Sequence, residues 1–338
     1  PEHGFRGEAA NGADVEDGVD AKTGLTLYSL HGKHKKPQPE QLDGVDVVVF
    51  DIQDVGARFY TYMSTLMLVM EACAAQEVEV IVLDRPNPHG HQMKGPVLDL
   101  KFQSFVGMLP IPMVHGLTLG EMALMACAEG WIDVPQGWRP EVVPCTGWAH
   151  GDDHTLTLAP SPNLPSPVSV DLYPSLCLFE ATAVSVGRGT SHPFECVGDP
   201  ELGFGYHAFT PMPVPGAAPH PKHEGQECTG HLLPGLSASW RENARAWTGT
   251  ALPGFTLSVL EVWAREWTDQ KGSLDGFITS PSFFDKLAGT DQIRIALEQG
   301  TPLSEFQKSW DVALRSFWDD AQPHLLYPWK APLPGRGL

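Results

Sequence analysis

The sequence has little positive charge. Lys and Arg together supply 22 of the 338 residues, whereas Asp and Glu supply 41, and the formal net charge at pH 7 is −19. Because nucleic-acid-binding proteins need a basic face, this composition argues against a nucleic-acid partner. An anionic ligand would have to be bound by a local group of cations that overcomes the field of the whole chain.

Several other signals are also missing. No apolar run approaches the roughly 18 residues that a membrane span needs, so no transmembrane segment is predicted. There is no GxGxxG motif after a strand pattern, which leaves a dinucleotide cofactor with little support. The six cysteines include no CxxC pair, which argues against a zinc ribbon and against a redox motif.

The pattern that is present predicts a parallel α/β sheet. Hydrophobic residues make up 42% of the chain, as expected for a globular protein. Residues 43–50 and 78–83 are β-branched runs of the kind found in strands buried on both faces. Between them, residues 61–75 have helical apolar spacing. This order of strand, helix and strand is typical of a doubly wound fold.

Further elements follow along the chain. Residues 117–131 are predicted to form a helix, with Thr118 as N-cap and Glu121 completing a capping box. The segment APSPNLPSP ends a Pro-rich stretch, and we place a domain boundary there, between residues 1–158 and 159–338. In the second domain, residues 255–262 suggest a strand and residues 302–321 a helix.

Polar side chains follow both predicted strands. The first strand is followed by Asp51, Gln53 and Asp54, and the second by Asp84, Arg85 and Asn87. Open α/β sheets bind ligands at the carboxyl ends of their strands, so these residues are candidate binding groups. Carboxylates at such an edge can bind sugar hydroxyls, hold a metal or orient a base.

The chain opens with PEHGFRG, a Gly-bounded loop that contains Glu2, His3 and Arg6. A buried Glu is a common proton donor to a leaving alkoxide, although a surface Glu is the simpler alternative. Because the chain starts at Pro1, we expect that residues precede it and that they supply the first element of the sheet.

Tyr60 and Tyr62 lie near the start of the first helix. A Tyr can stabilise an oxocarbenium-like centre, act as a nucleophile when a base is near, or simply pack as an aromatic. The pair His89 and His91 has no third ligand at a recognisable spacing, so no metal site is predicted. In GRGTSHPFE, Arg188 between two glycines can bind a carboxylate through two parallel hydrogen bonds, or brace a loop against Glu180 or Glu195.

Eight segments, in order, resemble the signatures of one family. They are PEHGFRG, FDIQDVGARFYTY, LDRPNP, FVGMLPIPMVHGLTLGE, PSPNLP, LFE, VGRGT and PFE. The chain is therefore identified as similar, from Pro1 to about Leu326, to the DUF1343 or NamZ-like family of exo-β-N-acetylmuramidases, which act in bacterial peptidoglycan turnover.

The resemblance implies a Rossmann-like N-terminal domain, a smaller α/β C-terminal domain and an active site in the cleft between them. It implies hydrolysis of a terminal N-acetylmuramic acid from the non-reducing end of peptidoglycan-derived saccharides or muropeptides, without a nicotinamide or metal cofactor. The catalytic Glu falls on Glu2, and a helping Tyr falls on Tyr60 or Tyr62, with Tyr60 preferred. The matching segments also assign His115, Asn163 and Glu180 to substrate binding.

The lactyl carboxylate of N-acetylmuramic acid requires positive charge. We expect some of Arg6, Arg58, Arg85 and Arg188 to converge on it. The chain departs from its relatives where LFEATA replaces the more common LFEGTN, so that Ala181 and Ala183 stand for Gly and Asn. These departures leave open a non-catalytic muropeptide-binding protein, and the histidines and aspartates leave open a metal-dependent hydrolase. Because the polymer lies outside the cell membrane, we expect a secreted or periplasmic location.

Overall fold

A three-stranded parallel sheet organises the N-terminal half of the chain. The computed structural model describes residues 15–152, 154–233 and 255–330. In the sheet, β3 (Val47–Phe50) pairs with β4 (Glu79–Leu83), and β4 pairs with β7 (Glu141–Val143). Helix α1 (Tyr62–Ala75) connects β3 to β4, and α2 (Leu119–Ala128) lies between β4 and β7. The predicted parallel α/β fold is therefore confirmed.

The remaining strands form small antiparallel sheets. Their bounds are β1 Gly18–Val19, β2 Thr26–Leu27, β5 Lys94–Val97, β6 Pro112–Val114, β8 Cys196–Asp199, β9 His207–Phe209 and β10 Cys228–Leu232. Strands β1 and β2 form one pair, β5 and β6 form a second, and the C-terminal sheet has the order β8-β10-β9. The C-terminal half thus adds its own sheet to the α/β architecture.

Helices dominate the C-terminal half. In the described part of this half they are α3 Pro167–Leu176, α4 Ser258–Lys271, α5 Pro281–Ala288, α6 Gln292–Gln299 and α7 Ser304–Ala321. The helix predicted over 302–321 is confirmed as α7. Within the described part of the chain, no helix combines the length and the apolar character that crossing a membrane demands.

The strand predicted over 255–262 is wrong, because this region begins helix α4. The buried side chains of α4 include Val259, Leu260, Trp263 and Trp267, a spacing that lines one side of a helix. The helix ends at Gly272, whose φ of 80° provides the left-handed conformation of a C-cap. The β-branched residues at its start resembled a strand because the helical period shows only over a longer window.

Strand β3 also differs from its prediction of burial on both faces. Val47 is 38% exposed and Val49 is 55% exposed. Among the described residues β3 is an edge strand, with β4 on one side and no strand on the other. Its apolar sequence therefore identified a strand but not the strand's position in the sheet.

The capping box predicted for α2 is present. Thr118 Oγ1 accepts a hydrogen bond from the Glu121 backbone N–H at 3.2 Å, and the Thr118 N–H donates to Glu121 Oε2 at 2.9 Å. Glu121 also lies 2.9 Å from His150 Nε2 and accepts from the Leu326 N–H at 2.9 Å. One carboxylate therefore caps the helix and anchors the last described segment.

The two halves share one continuous hydrophobic core, which extends from β3 to the C-terminal helices. A buried cation crosses this core. The Arg58 side chain is 0% exposed, and its Nη1 group donates to the carbonyls of Pro96 and Ile111, each at 2.8 Å. Its Nη2 group donates to Leu287 at 3.2 Å and Ala288 at 2.6 Å. Arg58 thus binds carbonyls of both halves.

The Arg58 bonds use the end of helix α5. Carbonyls in the last turn of a helix lack intrahelical partners and carry partial negative charge, which favours a cation there. The following residue, Gly289, has a φ of 72°, and a Cβ at this position would meet the guanidinium. Burial lowers the pKa of Arg58 to about 9, so the group stays charged at neutral pH.

We predict that Arg58→Met lowers the free energy of unfolding by about 3–5 kcal/mol, because four buried carbonyls lose their donors. Urea denaturation measures this change. Arg265→Met, at an exposed site on α4, is the matched control and should change stability by less than about 0.5 kcal/mol. We call Arg58 and its four carbonyl acceptors the Arg58 clamp. If Arg58→Met lowers the free energy of unfolding no more than the control does, the clamp does not stabilise the fold.

Candidate active site

A cavity of about 230 Å³ lies between the two halves. Its N-terminal side includes Phe59, Tyr60 and Thr61, which immediately precede helix α1. The opposite side is supplied by the segment before α3, by α3 with the turn that follows it, by the loop around Arg188, and by α5. The residues from that side are Ser161, Asn163, Leu164, Tyr173, Cys177, Glu180, Arg188, Phe194, Phe283 and Leu287. The cavity brings together four predicted site residues, namely Tyr60, Asn163, Glu180 and Arg188.

Aromatic residues form the largest group in the walls of the cavity. The Tyr173 ring packs edge-on against Phe59 at 5.3 Å, Tyr60 at 6.0 Å and Phe194 at 5.0 Å between ring centroids. Edge-to-face aromatic pairs fix the orientation of the rings that take part. The cavity therefore has rigid apolar sides on which only a few polar groups are presented.

The structure distinguishes the two candidate tyrosines. Tyr60 lines the cavity, and its hydroxyl donates a hydrogen bond to the Pro160 carbonyl at 2.7 Å. Tyr62 belongs to α1, does not line the cavity, and packs edge-on against Tyr60 with centroids 5.0 Å apart. The geometry thus favours Tyr60 as the residue that meets a ligand and Tyr62 as its support.

Arg188 and Glu180 form the charged part of the cavity. Arg188 Nε donates to Glu180 Oε1 at 3.0 Å, and the guanidinium lies 4.9 Å from the centroid of the Phe194 ring. Burial by itself lowers the pKa of Arg188, but the Glu180 carboxylate outweighs this effect and holds the pKa above its ordinary value. Within the described ranges, Arg188 makes side-chain hydrogen bonds through its Nε–H alone, so no described residue occupies its two Nη groups.

A lysine that the sequence did not indicate holds the Glu180 turn. Lys222 Nζ donates to the carbonyls of Phe179 at 3.0 Å, Thr182 at 2.5 Å and Val184 at 3.0 Å. These carbonyls flank Glu180 on both sides. Burial lowers the pKa of Lys222 to about 8, so the ammonium form that can supply three donors still predominates at neutral pH. No sequence signal separates this lysine from its Pro- and Gly-rich surroundings.

Asn163 is fixed from the other side of the cavity. It is 2% exposed, and its Nδ2 group donates to the Ala217 carbonyl at 2.9 Å. Its side-chain amide therefore has a defined orientation, with the nitrogen directed away to the 211–226 loop. The carbonyl oxygen of this amide remains as the acceptor for a ligand.

The altered residues of LFEATA do not line the cavity. The Ala181 carbonyl accepts from the Thr279 N–H at 2.9 Å, and the Ala183 N–H donates to the Phe277 carbonyl at 2.7 Å. The backbone of both alanines is therefore hydrogen-bonded to the segment that leads into α5. Neither substitution therefore changes a residue of the cavity wall.

The polar residues at the strand ends lie outside this cavity. Asp51 and Arg85 form an exposed ion pair, with Arg85 Nε and Nη2 at 2.8 and 2.6 Å from Asp51 Oδ1. Gln53 donates to the carbonyls of Asp54 and Pro86, and Asn87 donates to that of Leu117. These side chains connect loops at the sheet edge.

Asp84 is likewise an anchor within the protein. It accepts hydrogen bonds from Thr118 Oγ1 at 2.6 Å, the Gly120 N–H at 2.8 Å and Tyr327 Oη at 2.6 Å. Burial raises the pKa of Asp84, against the effect of these donors. Asp84 therefore joins helix α2 to the last described segment of the chain.

We expected some of Arg6, Arg58, Arg85 and Arg188 to converge, and the three of them that the structure describes do not meet. Arg58 is committed to backbone carbonyls, Arg85 pairs with Asp51 at the sheet edge, and Arg188 alone lines the cavity. Glu2, His3 and Arg6 lie outside the described residues. The positive charge of the cavity therefore comes from Arg188 among the three described arginines.

Asp54, His89 and His115 form a buried polar group near the sheet edge. His115 Nε2 lies 3.5 Å from Asp54 Oδ2, which also accepts from the Gly56 N–H at 2.6 Å. Within residues 15–152, 154–233 and 255–330, no three His, Cys, Asp or Glu side chains are arranged to hold a metal ion. The described part of this group therefore does not form a metal centre.

Comparisons with known proteins cover nearly the whole chain. Residues 1–168 match the N-terminal model of exo-β-N-acetylmuramidase NamZ, and residues 171–327 match the C-terminal model. The chain is 37% identical over 349 residues to peptidoglycan β-N-acetylmuramidase NamZ of Bacillus subtilis (strain 168), covering 97% of this chain and 78% of that protein.

Two crystal structures of DUF1343 family proteins from Bacteroides fragilis NCTC 9343 have the same fold. The first has a TM-score of 0.80 at 38% sequence identity, and the match covers 92% of this chain and 82% of that protein's chain. The second has a TM-score of 0.76 at 29% sequence identity, and the match covers 97% of this chain and 85% of that protein's chain.

The buried His89 generates a prediction about acid stability. Burial, with smaller effects from His91 and His115, lowers the pKa of His89 to about 3. Below pH 6.5 the His89 side chain binds a proton in the unfolded chain but not in the folded chain. The free energy of unfolding therefore decreases as the pH falls. At pH 5 this loss is about 2 kcal/mol.

We expect His89→Phe to remove that part of the decline in unfolding free energy between pH 7 and pH 5, as measured by urea denaturation at each pH. The control is His220→Phe, since His220 has a side chain that is 92% exposed. If both variants lose stability with acid as the wild type does, His89 is not the group responsible.

Proposed function

The chain belongs to the exo-β-N-acetylmuramidase NamZ family, and we propose that it hydrolyses the bond that joins a non-reducing terminal N-acetylmuramic acid to the rest of a peptidoglycan fragment. Both domain models of that family match the chain. The similarity to the Bacillus subtilis enzyme extends over 97% of this chain. It is a glycoside hydrolase, and the pocket between its two halves is the site that we assign to the sugar.

The observation that carries this assignment is the Arg188–Glu180 pair in the cavity. N-acetylmuramic acid differs from other amino sugars by a lactyl ether that ends in a carboxylate. The Nη groups of Arg188 match a carboxylate with two parallel hydrogen bonds, while Glu180 holds the guanidinium by its Nε–H. A charged hydrogen bond of this kind contributes about 1.5–3 kcal/mol.

The dimensions of the cavity suit a single sugar. Its volume of about 230 Å³ lies below the range of roughly 300–1,000 Å³ typical of pockets for drug-sized ligands. Aromatic walls contact the apolar faces of a sugar ring, and the Asn163 amide offers an acceptor to a hydroxyl or an acetamide N–H. A pocket for one terminal residue corresponds to exo-cleavage, in which one sugar leaves at a time.

In the proposed reaction, Glu2 gives its proton to the glycosidic oxygen as the bond to the anomeric carbon breaks. Water then supplies a hydroxyl to that carbon and its remaining proton restores the Glu2 acid, so the products are N-acetylmuramic acid and the shortened saccharide. The assignment of Glu2 comes from the family motif, as this residue lies outside the described part of the chain.

The group that stabilises the anomeric carbon is Tyr60 or the acetamide of the substrate itself. Tyr60 lines the cavity, with its hydroxyl oriented by the Pro160 carbonyl. Asp51 and Asp54 are weaker candidates, because Asp51 is paired with Arg85 and Asp54 holds the Gly56 N–H. A phenol oxygen beside the ring can support the positive charge that develops in an oxocarbenium-like transition state.

We place this activity outside the cytoplasmic membrane, in a secreted or periplasmic protein. The reason is the location of the polymer, whose terminal muramic acid residues are exposed there. The substrates are then soluble peptidoglycan saccharides and muropeptides released from the wall.

Arg188→Met tests the carboxylate contact. We expect kcat/KM for an aryl β-N-acetylmuramide to fall by about 10- to 100-fold, the equivalent of one charged hydrogen bond. The same substrate with its lactyl carboxylate converted to a neutral amide serves as the control and should lose much less. Equal losses on both substrates would contradict a role for Arg188 in binding the carboxylate.

Glu2→Gln tests the proton donor. With the disaccharide of N-acetylmuramic acid and N-acetylglucosamine, kcat should fall by roughly 10²–10⁴-fold, because the sugar leaving group needs a proton. A 2,4-dinitrophenyl muramide, whose leaving group needs no proton, should lose far less. Glu16→Gln is a matched control near the same end of the chain. Near-wild-type cleavage of the disaccharide by Glu2→Gln excludes Glu2 as the acid.

A further inference from the structure

The mouth of the cavity borders a concentration of positive charge. The sequence KHKK at residues 33–36 follows His31, which itself lines the cavity. Three lysines in four residues are unusual in a chain with 22 basic residues and a net charge of −19. The segment formed by residues 31–36 is called here the basic rim.

Phe105 connects the basic rim to the cavity. Its ring lines the cavity, lies 6.3 Å from the His31 ring between centroids, and has Lys35 Nζ 4.9 Å from its centroid. A cation at this distance from an aromatic face is held there by the ring quadrupole. Lys35 is therefore positioned beside the entrance by a residue that also forms the wall.

Two of the three lysines have no acidic partner among the described residues. Lys36 Nζ is paired with Glu71 Oε2 at 2.9 Å. Lys33 and Lys35 make no ion pair with any acidic residue in the described part of the chain, and Lys33 is exposed. In a strongly acidic protein, unpaired lysines beside an entrance produce a local attraction for anions.

The opposite side of the entrance is apolar. Phe283, near the start of α5, lines the cavity and is 39% exposed, although it is a large hydrophobic side chain. Phe105 and Phe283 thus stand on different halves of the protein at the same cavity. An exposed aromatic beside a sugar pocket offers an apolar face to the next sugar of the chain.

We propose that the entrance is a binding site for the leaving part of the substrate, in which Phe105 and Phe283 contact the neutral sugar and Lys33 and Lys35 bind a carboxylate beyond it. This inference rests on the proposed function. In an alternating glycan, the sugar after N-acetylglucosamine is another N-acetylmuramic acid. Its carboxylate, or that of a peptide attached to it, is the anion that this site recognises.

The preferred substrate is accordingly an anionic saccharide of at least three residues rather than a disaccharide. The terminal muramic acid occupies the cavity, and its own carboxylate binds Arg188. The second carboxylate lies outside and meets the basic rim. An exposed lysine and a half-buried one, Lys33 and Lys35, should favour the acidic substrate by about 3- to 10-fold in kcat/KM at low salt.

The test compares three trisaccharides of the order muramic acid, N-acetylglucosamine, muramic acid. In one, the second lactyl carboxylate is free; in another, it is a neutral amide; in the third, it bears a short peptide with free carboxylates. The first lactyl carboxylate stays free in all three. The readout is the ratio of kcat/KM for each acidic trisaccharide to that for the amide trisaccharide.

For the wild type, we expect a ratio of about 3–10 at low salt that decreases toward 1 in 0.5 M NaCl. The double variant Lys33→Gln/Lys35→Gln should show a ratio near 1 at either salt concentration, whereas Lys33→Arg/Lys35→Arg should keep the preference. Lys22→Gln, an exposed lysine in the turn between β1 and β2, controls for the change in net charge.

A ratio near 1 for the wild type, or an equal ratio in the wild type and the Gln double variant, would overturn the proposal. A preference confined to the free-lactyl substrate identifies the glycan as the source of the carboxylate, and one confined to the peptide substrate identifies the peptide; either result supports the site. If the wild type cleaves none of the three trisaccharides and no aryl muramide, the failure lies with the proposed function instead.

Discussion

The arrangement of the whole molecule depends on the hydrogen bonds of one buried guanidinium. Arg58 donates to two carbonyls of the N-terminal half and to two at the end of helix α5. The next three residues of the chain line the cavity, and so does Leu287, one of its acceptors on α5. The Arg58 clamp therefore sets the separation of the cavity walls. A cation can occupy this position without a carboxylate because helix C-terminal carbonyls carry partial negative charge.

The same principle recurs on the other wall. Lys222 binds three carbonyls around the Glu180 turn and, like Arg58, uses backbone oxygens to satisfy a buried charge. Glu180 is then available to Arg188, whose outer Nη groups are available to a ligand. Charged residues at this site thus fall into two groups, those that hold the backbone and those that face the cavity. Residue type alone does not distinguish them.

An acidic protein that binds an acidic sugar must keep its cations where they are needed. Arg188 supplies charge inside the cavity, and the basic rim supplies it outside, with Phe105 between them. Other described basic side chains, such as Arg85 and Arg294, form ion pairs with neighbouring carboxylates, which neutralise their charge. The net charge of −19 therefore gives little information about the field that a substrate meets at the entrance.

The sequence by itself determined the parallel α/β pattern, the helices α1, α2 and α7, the capping box at Thr118 and the family, because these depend on local spacing and on ordered motifs. It also pointed to Tyr60, Asn163, Glu180 and Arg188. It misidentified α4 as a strand, and it did not separate Arg58 and Asp84, which hold the protein together, from Arg188. Only the tertiary structure decided these roles, since they depend on which distant carbonyls and donors surround each charge. Lys222, Tyr173 and the basic rim became recognisable for the same reason: each gains its function from residues far away in the chain.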